Sequence, residues 1–319
     1  MKCVLVDRDS LDKGDLDFSC LARHVSNIEI HKHVANEQLL DLINNADIVI
    51  SNKVILDRQT LSACENLKLI CVAATGTNNI DIQAASELGI AVSNARAYAT
   101  PSVTEHVFAL ILNLMRNLTD YQVAACDGHW SGSHEFCYIE KPIVELSGKV
   151  LGIVGYGELG KAVARLARAF GMTVLISQRP GVSGLTEGRL SLVDMLPQID
   201  VLTLHCPLDV NTANLIDIKM LKLMKPEAIL INTARGGIIN EDDLVEALSN
   251  GFIAGAGIDV LEKEPPDVDN VLLNQAGLNL VITPHVAWAS RESRQRLVVE
   301  ICKNIESFNT GKVRNAVTA

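Results

Sequence analysis

Short apolar runs alternate with amphipathic stretches of helical length along the whole chain. This alternation is typical of repeated strand–helix units that build a parallel sheet with helices on its faces. In the first third, it predicts strands at residues 3–6, 48–50, 69–72 and 90–92, and helices at 36–45 and 81–88. These segments indicate a first α/β domain at the start of the chain.

The middle of the chain begins with one long predicted helix, residues 102–125. Apolar side chains recur there at intervals of three and four from Val103 to Leu114. Pro101 stands at its start, where a missing backbone N–H is tolerated. The stretch 127–148 carries glycines and polar residues without helical or strand periodicity, and we predict a loop.

A second α/β series follows this loop. Its predicted strands are residues 150–154, 173–177, 201–204, 228–232, 254–259 and 280–283, and a closing helix spans 291–308. Because a terminal helix of this length can pack back onto the first domain, we predict a discontinuous substrate domain. It comprises residues 1–100 and 288–319, with a cofactor domain of residues 101–287 inserted between them. The predicted class is α/β with two doubly wound parallel sheets, flavodoxin-like in the first domain and Rossmann in the second.

Composition and charge disfavour several classes of function. The 319 residues suffice for two domains, and 48% hydrophobic with 21% charged residues is typical of a folded globular protein. A net charge of −10 disfavours nucleic-acid binding. Neither a secretory signal nor an apolar run long enough for a membrane span is evident. The eight cysteines include no Cys-x-x-Cys pair, so we expect reduced thiols in a cytoplasmic protein.

A glycine motif, Gly155-x-Gly157-x-x-Gly160, joins a predicted buried strand to a helix that opens with Glu158 and Leu159. The three glycines permit a tight turn, close approach of the backbone to a pyrophosphate, and close packing of helix on strand. The same residues fit the start of a P-loop, but Ala162 lacks the hydroxyl that binds Mg²⁺. The motif therefore predicts a bound dinucleotide.

The choice between NAD and NADP depends on the end of the next strand. NAD-binding sites usually have an acidic residue there, which binds the ribose hydroxyls. This chain has Gln178-Arg179 instead, and Arg179 could meet a 2′-phosphate. NADP(H) is therefore predicted to be used well, although Arg179 could also be a solvated surface residue.

Three polar segments follow predicted strands in the second series, where ligands bind in doubly wound sheets. They carry Arg235, Glu264 and His285. Reduction of a 2-keto acid needs a cation to hold the carboxylate, and the planar guanidinium of Arg235 is suited to this. It also needs a proton donor, for which His285 is the candidate, and a carboxylate such as Glu264 to orient the imidazole. Each residue taken alone could be structural, but the set in this order favours catalysis.

The chain resembles the D-isomer-specific 2-hydroxyacid dehydrogenase family over essentially its whole length. The matching segments are residues 73–81, 101–106, the glycine motif and the three polar segments. The resemblance implies that Arg235, Glu264 and His285 are catalytic, with His285 as proton donor. It also implies substrate contacts and cofactor contacts beyond the motif. The substrate contacts are Asn52, Thr75, Gly76, Arg235 and Trp288. The cofactor contacts in and near the glycine motif are Gly155, Gly157, Glu158, Leu159, Gly160, Gln178 and Arg179, and the further ones are Thr104, Cys206, Pro207, Thr233, Ala234 and Asp259.

Within the family, the segment 75–79 and Trp288 are most similar to glycerate dehydrogenases, also called hydroxypyruvate reductases. The expected activity is NAD(P)H-dependent reduction of hydroxypyruvate, with glyoxylate as a second substrate. Two alternatives stay open: a D-3-phosphoglycerate dehydrogenase without a regulatory domain, and a dinucleotide-sensing corepressor that binds partner proteins. The shortness of the chain beyond the closing helix disfavours both.

Histidines outside these segments predict less. His129 and His134 flank Trp130, but no third ligand accompanies them, so no metal site is predicted. The resemblance implies that this loop forms a homodimer contact. His205 is expected to be structural, and Cys206 lacks a neighbouring base that would make it a nucleophile.

Overall fold

The computed structural model describes residues 1–275 and 277–318. Its strands all lie in two parallel sheets. The strands are β1 (Lys2–Leu5), β2 (Asn27–Ile30), β3 (Ile48–Ser51), β4 (Leu69–Val72), β5 (Ala91–Ser93), β6 (Val150–Val154), β7 (Thr173–Ile176), β8 (Val201–Leu204), β9 (Ile229–Asn232), β10 (Gly255–Ile258) and β11 (Leu280–Ile282).

Helices lie between most of the strands. They are α1 (Asn36–Ile43), α2 (Arg58–Ser62), α3 (Ile82–Glu87), α4 (Thr100–Arg116), α5 (Leu118–Cys126), α6 (Glu158–Ala169), α7 (Leu192–Met195), α8 (Ile218–Leu221), α9 (Glu241–Ser249) and α10 (Arg291–Asn309). Short 3₁₀ helices lie at Arg8–Ser10, Leu21–Arg23 and Leu196–Gln198. The strand–helix alternation confirms the predicted α/β class.

The chain divides into two compact units. Unit 1 comprises Met1–Ala99 and Trp288–Ala319, and unit 2 comprises Thr100–Ala287. The unit 1 sheet has the order β2-β1-β3-β4-β5, and the unit 2 sheet has the order β11-β10-β9-β8-β6-β7. In each sheet the order reverses once, between β1 and β3 in unit 1 and between β6 and β8 in unit 2. Such reversals create the crevice where doubly wound sheets bind ligands.

The central strands of unit 1 are buried on both faces. Successive residues of β3 and β4 alternate between two apolar clusters, with Val49 and Ile70 in one and Ile50 and Cys71 in the other. This alternation follows from the two-residue period of a strand covered on both sides. α10 packs its apolar face into the second cluster, which explains why a C-terminal helix belongs to unit 1.

Two expectations were wrong. The predicted helix 102–125 is two helices, because Asn117 between α4 and α5 has left-handed backbone angles, φ 51° and ψ 41°. Asparagine tolerates this conformation, which ends one helix before the next begins. The cysteines are not all reduced: Cys20 and Cys302 form a disulfide within unit 1, across 282 positions of sequence. Local spacing could not predict this pair, because α10 brings Cys302 to the N-terminal segment only in the fold.

No helix of the described residues combines the length and the apolar character needed to cross a membrane. The loop 127–148 has no helix or strand, as predicted. Strand β2 and helices α2, α7, α8 and α9 were not predicted. Most are short, and β2 lies at a sheet edge, where its residues are only partly buried.

Candidate active site

The glycine motif lies at the point where the strand order of unit 2 reverses. Gly155 has φ 93°, and a Cβ there would lie 2.5 Å from the carbonyl carbon of His205. At Gly160 a Cβ would lie 2.2 Å from the carbonyl oxygen of Gly155, whereas at Gly157 it would meet no atom within 4 Å. Only glycine fits the first and third positions, and the backbone at the second is open to a ligand.

Helix α6 begins at Glu158, immediately after this turn. Its first N–H groups and the positive end of its dipole form an anion-binding position of the kind that holds pyrophosphate. The Glu158 carboxylate is exposed and accepts a hydrogen bond from the hydroxyl of Thr100. Leu159 is half-buried in the first turn. This anion-binding position is therefore built from backbone, and the Glu158 side chain has a partner within the protein.

Two buried polar atoms at the carboxyl edge of the unit 2 sheet have no hydrogen-bond partner among the described residues. They are Thr233 Oγ1, after β9, and His205 Nδ1, after β8. Burial lowers the pKa of His205 to about 4, so the ring is neutral, and its Nε2 lies 3.0 Å from Thr203 Oγ1. Since buried polar atoms are rarely left unpaired, these two fit a site completed by a polar ligand such as a dinucleotide. His205 was expected to be only structural.

The neighbouring predicted cofactor residues are held by the fold. Burial raises the pKa of the Cys206 thiol to about 11, which agrees with its exclusion as a nucleophile. Pro207 accepts a bond from Thr212 Oγ1 through its carbonyl, at 2.7 Å. Ala234 donates its N–H to Asn232 Oδ1 at 3.0 Å. Thr104, on α4, is buried and donates its hydroxyl to the Thr100 carbonyl at 2.7 Å.

Basic side chains lie at the carboxyl end of β7. Arg179 is exposed, and Gln178 accepts the backbone N–H of Thr186 through Oε1 at 3.1 Å. Arg189 donates from Nη1 to the carbonyl of Ser177, at 3.5 Å. Sequence reasoning missed Arg189, because only the pairing of the segment around residue 190 with the end of β7 brings it there. This end of the sheet carries two arginines and no carboxylate at positions 177–179.

Arg235 extends from a loop that is tightly constrained. Its carbonyl accepts a bond from Asn232 Nδ2 at 2.8 Å, and its Nη1 donates to the Ala234 carbonyl at 2.6 Å. A Cβ on Gly236 would lie 1.9 Å from the Leu261 carbonyl oxygen. The loop after β9 therefore packs directly on the loop after β10, while the Arg235 side chain stays exposed.

His285 and Glu264 are hydrogen-bonded, with 2.6 Å between Nδ1 and Oε2. The other carboxylate oxygen of Glu264 accepts the backbone N–H of Leu261 at 3.0 Å, which fixes its orientation. His285 has left-handed backbone angles, φ 53°, and its N–H lies 2.8 Å from the Asp259 carbonyl and 2.9 Å from the Thr283 carbonyl. A strained, fully bonded backbone at a histidine paired with a carboxylate is typical of a functional residue.

Asp259 organises the segment that carries His285. Its buried carboxylate accepts bonds from Thr283 Oγ1 at 2.6 Å and from the N–H groups of Val286 and Ala287, both at 2.9 Å. His106 Nε2 lies 2.9 Å from the same Thr283 hydroxyl. Sequence reasoning placed Asp259 near the cofactor but found neither this network nor His106.

Arg235, Glu264 and His285 thus follow three neighbouring parallel strands, β9, β10 and β11, at one edge of the unit 2 sheet. Because carboxyl ends of parallel strands share an edge, the structure brings these side chains to the same side. Within the described residues, no group of three His, Cys, Asp or Glu side chains could hold a metal ion.

The predicted substrate residues other than Arg235 belong to unit 1. Asn52 follows β3 and is buried, and its Nδ2 donates to Ser10 Oγ at 3.0 Å. The carboxylate of Asp7, after β1, accepts the N–H groups of Asn52 at 3.0 Å, Lys53 at 2.6 Å and Val54 at 3.3 Å. Sequence reasoning missed Asp7, which holds this loop where the strand order of unit 1 reverses.

Thr75 and Gly76 follow β4. The hydroxyl of Thr75 donates to the Ala95 carbonyl at 3.0 Å, and its carbonyl accepts from Asn94 Nδ2 at 2.7 Å. Gly76 is half-buried beside it. Trp288 contacts Tyr98 edge to face, with ring centroids 6.4 Å apart.

Known proteins are similar to this chain in sequence and in fold. The model for "D-isomer specific 2-hydroxyacid dehydrogenase, NAD binding domain" matches residues 108–287. A glycerate dehydrogenase of Methylorubrum extorquens is 43% identical over 100% of this chain and 99% of its own. A hydroxypyruvate reductase of Blautia hydrogenotrophica is 36% identical over 99% of both chains.

One similar solved structure is an NADPH-dependent glyoxylate/hydroxypyruvate reductase from Sinorhizobium meliloti, in complex with NADP and malonate. It has a TM-score of 0.80 and 26% identity, and covers 99% of this chain and 96% of that one. Residues 108–287 are an NAD-binding domain. These matches agree with the glycine turn, the unpaired buried atoms and the His285–Glu264 pair. The chain therefore belongs to the D-isomer-specific 2-hydroxyacid dehydrogenase family and is an NAD(P)-dependent 2-hydroxyacid dehydrogenase.

Proposed function

We propose that this enzyme uses NAD(P)H to reduce hydroxypyruvate, and also glyoxylate, to the D-2-hydroxy acid. The observation that carries the proposal is the hydrogen bond of 2.6 Å between His285 and Glu264 at the carboxyl edge of an NAD-binding sheet. The names of the full-length relatives, a glycerate dehydrogenase and a hydroxypyruvate reductase, support the substrate.

His285 is the proton donor in this proposal. Bound NAD(P)H supplies a hydride to the carbonyl carbon, so the carbonyl oxygen must gain a proton. Glu264 holds the imidazole through Nδ1 and is itself fixed by the Leu261 N–H, which orients the ring before substrate arrives. A preoriented acid of this kind contributes roughly 10²–10⁴-fold to rate.

Arg235 binds and polarises the keto acid. Its side chain is exposed, while its loop is fixed by Asn232 and by the packing of Gly236 on Leu261. A guanidinium presents two parallel donors, which match a carboxylate and can also bond the adjacent carbonyl oxygen. We assign further substrate contacts to four residues of unit 1: Asn52, Thr75, Gly76 and Trp288.

The cofactor contacts are assigned to the residues of unit 2 around the glycine turn and the ends of β7, β8 and β9. Arg179 and Arg189 flank the end of β7 without a neighbouring carboxylate at positions 177–179, which supports binding of a 2′-phosphate. We therefore propose that NADPH is preferred. A comparison of kcat/KM for NADPH and NADH tests this, and a large preference for NADH would contradict it.

The loop 127–148 is assigned to a homodimer interface. It exposes large apolar side chains, with 53% of Trp130, 92% of Phe136 and 71% of Ile139 accessible. Apolar exposure of this size is typical of a surface that a partner covers. Light scattering of the wild type and a Phe136→Ser/Ile139→Ser variant tests the assignment. We expect the wild type to be a dimer and the variant to be a monomer. A monomeric wild type would contradict the assignment of this loop to an interface.

The substrate is tested by mixing the purified protein with NADPH or NADH and four keto acids in turn. These are hydroxypyruvate, glyoxylate, pyruvate and 3-phosphohydroxypyruvate, with loss of nicotinamide absorbance as the readout. We expect the highest kcat/KM with hydroxypyruvate and clear turnover of glyoxylate. The His285→Ala variant is the control for enzyme-dependent turnover.

Two other outcomes would overturn the proposal. Turnover with only the phosphorylated acid would indicate a phosphoglycerate dehydrogenase. Absence of turnover with every acid, while the cofactor still binds, would indicate a dinucleotide-sensing binding protein.

A further inference from the structure

Unit 1 contains a cavity of about 630 Å³ whose lining includes none of the residues assigned to the reaction. Its volume is within the range of small-molecule binding sites. The cavity is lined by the segment 96–98, which follows β5, by one face of α10 and by Arg314. The α10 positions in this lining, from 291 to 303, recur at intervals of one, three and four residues, so they line one continuous face of the helix.

The cavity is positively charged in an acidic protein. Five basic side chains and two acidic ones line it, which leaves an excess of three positive charges, whereas the whole chain carries −10. The basic residues are Arg96, Arg291, Arg296, Lys303 and Arg314, and the acidic ones are Glu292 and Glu300.

Part of this charge is already neutralised within the protein. Glu300 pairs with Lys303 at 3.0 Å and with Arg314 at 2.5 Å. Partial burial alone would raise the pKa of Glu300, but the hydrogen bonds from these two cations lower it, so the carboxylate stays ionised. These three side chains form a closed ion-pair group along one side of the cavity.

The other three cations are held in place without a carboxylate. Arg296 donates from Nε to the Tyr98 carbonyl at 2.8 Å, and Arg291 donates from Nε to the Asp15 carbonyl at 3.2 Å. Arg96 bonds the Asn94 side-chain oxygen and the Ala316 carbonyl, both at 3.3 Å. Across residues 1–275 and 277–318, no carboxylate lies within ion-pair distance of these three guanidinium groups. For Arg291 and Arg296, the Nε bond orients the group and leaves both terminal nitrogens for another acceptor.

We propose that this cavity binds a small multivalent oxyanion. Guanidinium groups bind phosphate and carboxylate oxygens in the same bidentate manner, and three oriented groups match a ligand with at least two negative charges. Ala97 and Val299 provide apolar surface for a short carbon skeleton. The ligand class is therefore a phosphorylated or polycarboxylated metabolite, bound to unit 1 independently of the keto acid.

Calorimetric titration of the whole protein tests the site. Pyrophosphate and citrate are the two probes, which separate a phosphate ligand from a carboxylate ligand. The buffer holds ionic strength constant with chloride, and saturating NADPH occupies the glycine turn. The Arg291→Gln/Arg296→Gln variant removes two of the oriented cations. Arg23→Gln, an exposed arginine of unit 1 outside the cavity, is the matched control.

We expect at least one probe to bind the wild type with one site per chain. Its Kd should rise at least about tenfold in the double variant, because a tenfold change corresponds to about 1.4 kcal/mol, less than the loss of two charge-assisted bonds. Arg23→Gln should change Kd less than about twofold, which is within the effect of one distant surface charge. If the double variant fails to fold by circular dichroism, Arg96→Gln replaces it with the same expectation.

The Arg235→Ala variant distinguishes this site from the keto-acid site. Binding at the cavity should survive this substitution in unit 2. The proposal is overturned if neither probe binds the wild type. It is also overturned if the cavity variants bind a probe with the wild-type Kd, or if Arg235→Ala abolishes binding of the probe. Because turnover is not measured, failure of this proposal leaves the proposed reaction untouched.

Discussion

The two units have the same kind of sheet, but the polar residues at the sheet edges have different roles in each. Both have all-parallel sheets whose strand order reverses once, and both place polar side chains after the strands at that edge. In unit 1, the carboxylate of Asp7 is buried and bonded to three consecutive backbone N–H groups. In unit 2, Arg235 is exposed, and His285 is bonded to Glu264.

In the proposed reaction, this difference separates residues that fix the loop backbone from residues that act on the substrate. Groups of unit 1 such as Asp7 and Asn94 hold loop backbone in place. Groups of unit 2 such as Asp259 do the same, but they also hold side chains whose charge or proton can be used. Substitutions in unit 2 should therefore change turnover, whereas substitutions in unit 1 should change KM or stability.

The largest effect is expected for His285 in unit 2. The His285→Ala variant should lower kcat for hydroxypyruvate by roughly 10²–10⁴-fold, because the proposed reaction would lose the proton donor to the carbonyl oxygen. Cofactor affinity, measured by fluorescence titration, should change little. Near-normal turnover would show that His285 is not the proton donor. It would also contradict the proposed difference between the two units.

Gly236 in unit 2 is expected to give the next largest effect. In Gly236→Ala, a Cβ would lie 1.9 Å from the Leu261 carbonyl oxygen, so the Arg235 loop must shift. A shift of about 1 Å at a catalytic group can lower the rate roughly a hundredfold. Steady-state kinetics should show this loss, and Gly132→Ala, whose Cβ meets nothing nearer than 3.4 Å, is the control. Equal activity of the two variants would contradict the assigned packing.

Asp7 tests the role of unit 1. Asp7→Asn places an amide donor beside the N–H groups of residues 52–54, so the loop should lose its geometry. We expect the KM for hydroxypyruvate to rise about tenfold, as for loss of one buried charged acceptor, with the KM for NADPH unchanged. The exposed neighbour variant Asp9→Asn should have no effect. If Asp7→Asn lowered kcat and left KM unchanged, unit 1 would contribute to the chemical step rather than to substrate binding.

The arginines at the end of β7 should affect one cofactor only. Arg179→Gln/Arg189→Gln should lower kcat/KM for NADPH about tenfold and leave that for NADH nearly unchanged, because only NADPH has a 2′-phosphate. Arg168→Gln, on the exposed face of α6, controls for net charge. Equal losses with both cofactors would indicate a structural role.

The smallest effect is a pH-dependent change in stability of unit 1. Arg294 binds Asp15 through two bonds, of 2.7 and 2.8 Å, and these bonds lower the pKa of Asp15 below its usual value. A carboxylate with a lowered pKa stabilises the folded state at neutral pH, and this stabilisation is lost as pH falls below about 4. Urea unfolding should show Asp15→Asn to be less stable at neutral pH and to approach the wild type in acid. A difference independent of pH would contradict this.

The sequence predicted the fold well where burial controls the pattern. Strands β4 and β8 were predicted to the residue, because each is a continuous buried run that begins directly after a charged residue, Lys68 or Asp200. The strand ends after which Arg235, Glu264 and His285 lie were predicted within one residue. The roles of these three side chains stay predictions.

Features that depend on distant or atomic contacts could not be predicted. The Cys20–Cys302 disulfide joins positions 282 residues apart, and the break at Asn117 depends on one residue's backbone angles. Arg189 reaches the end of β7 only through pairing across a loop. Asp7 looks in the sequence like any acidic residue after a strand, since its bonds are to backbone atoms.

The most direct test of the proposed reaction is the product formed from hydroxypyruvate and NADPH. Chiral chromatography of a completed reaction measures both its amount and its configuration. We expect D-glycerate in one-to-one proportion to the NADPH oxidised, with a rate that His285→Ala lowers at least about a hundredfold. Formation of L-glycerate, or no oxidation of NADPH or NADH with hydroxypyruvate, would contradict it.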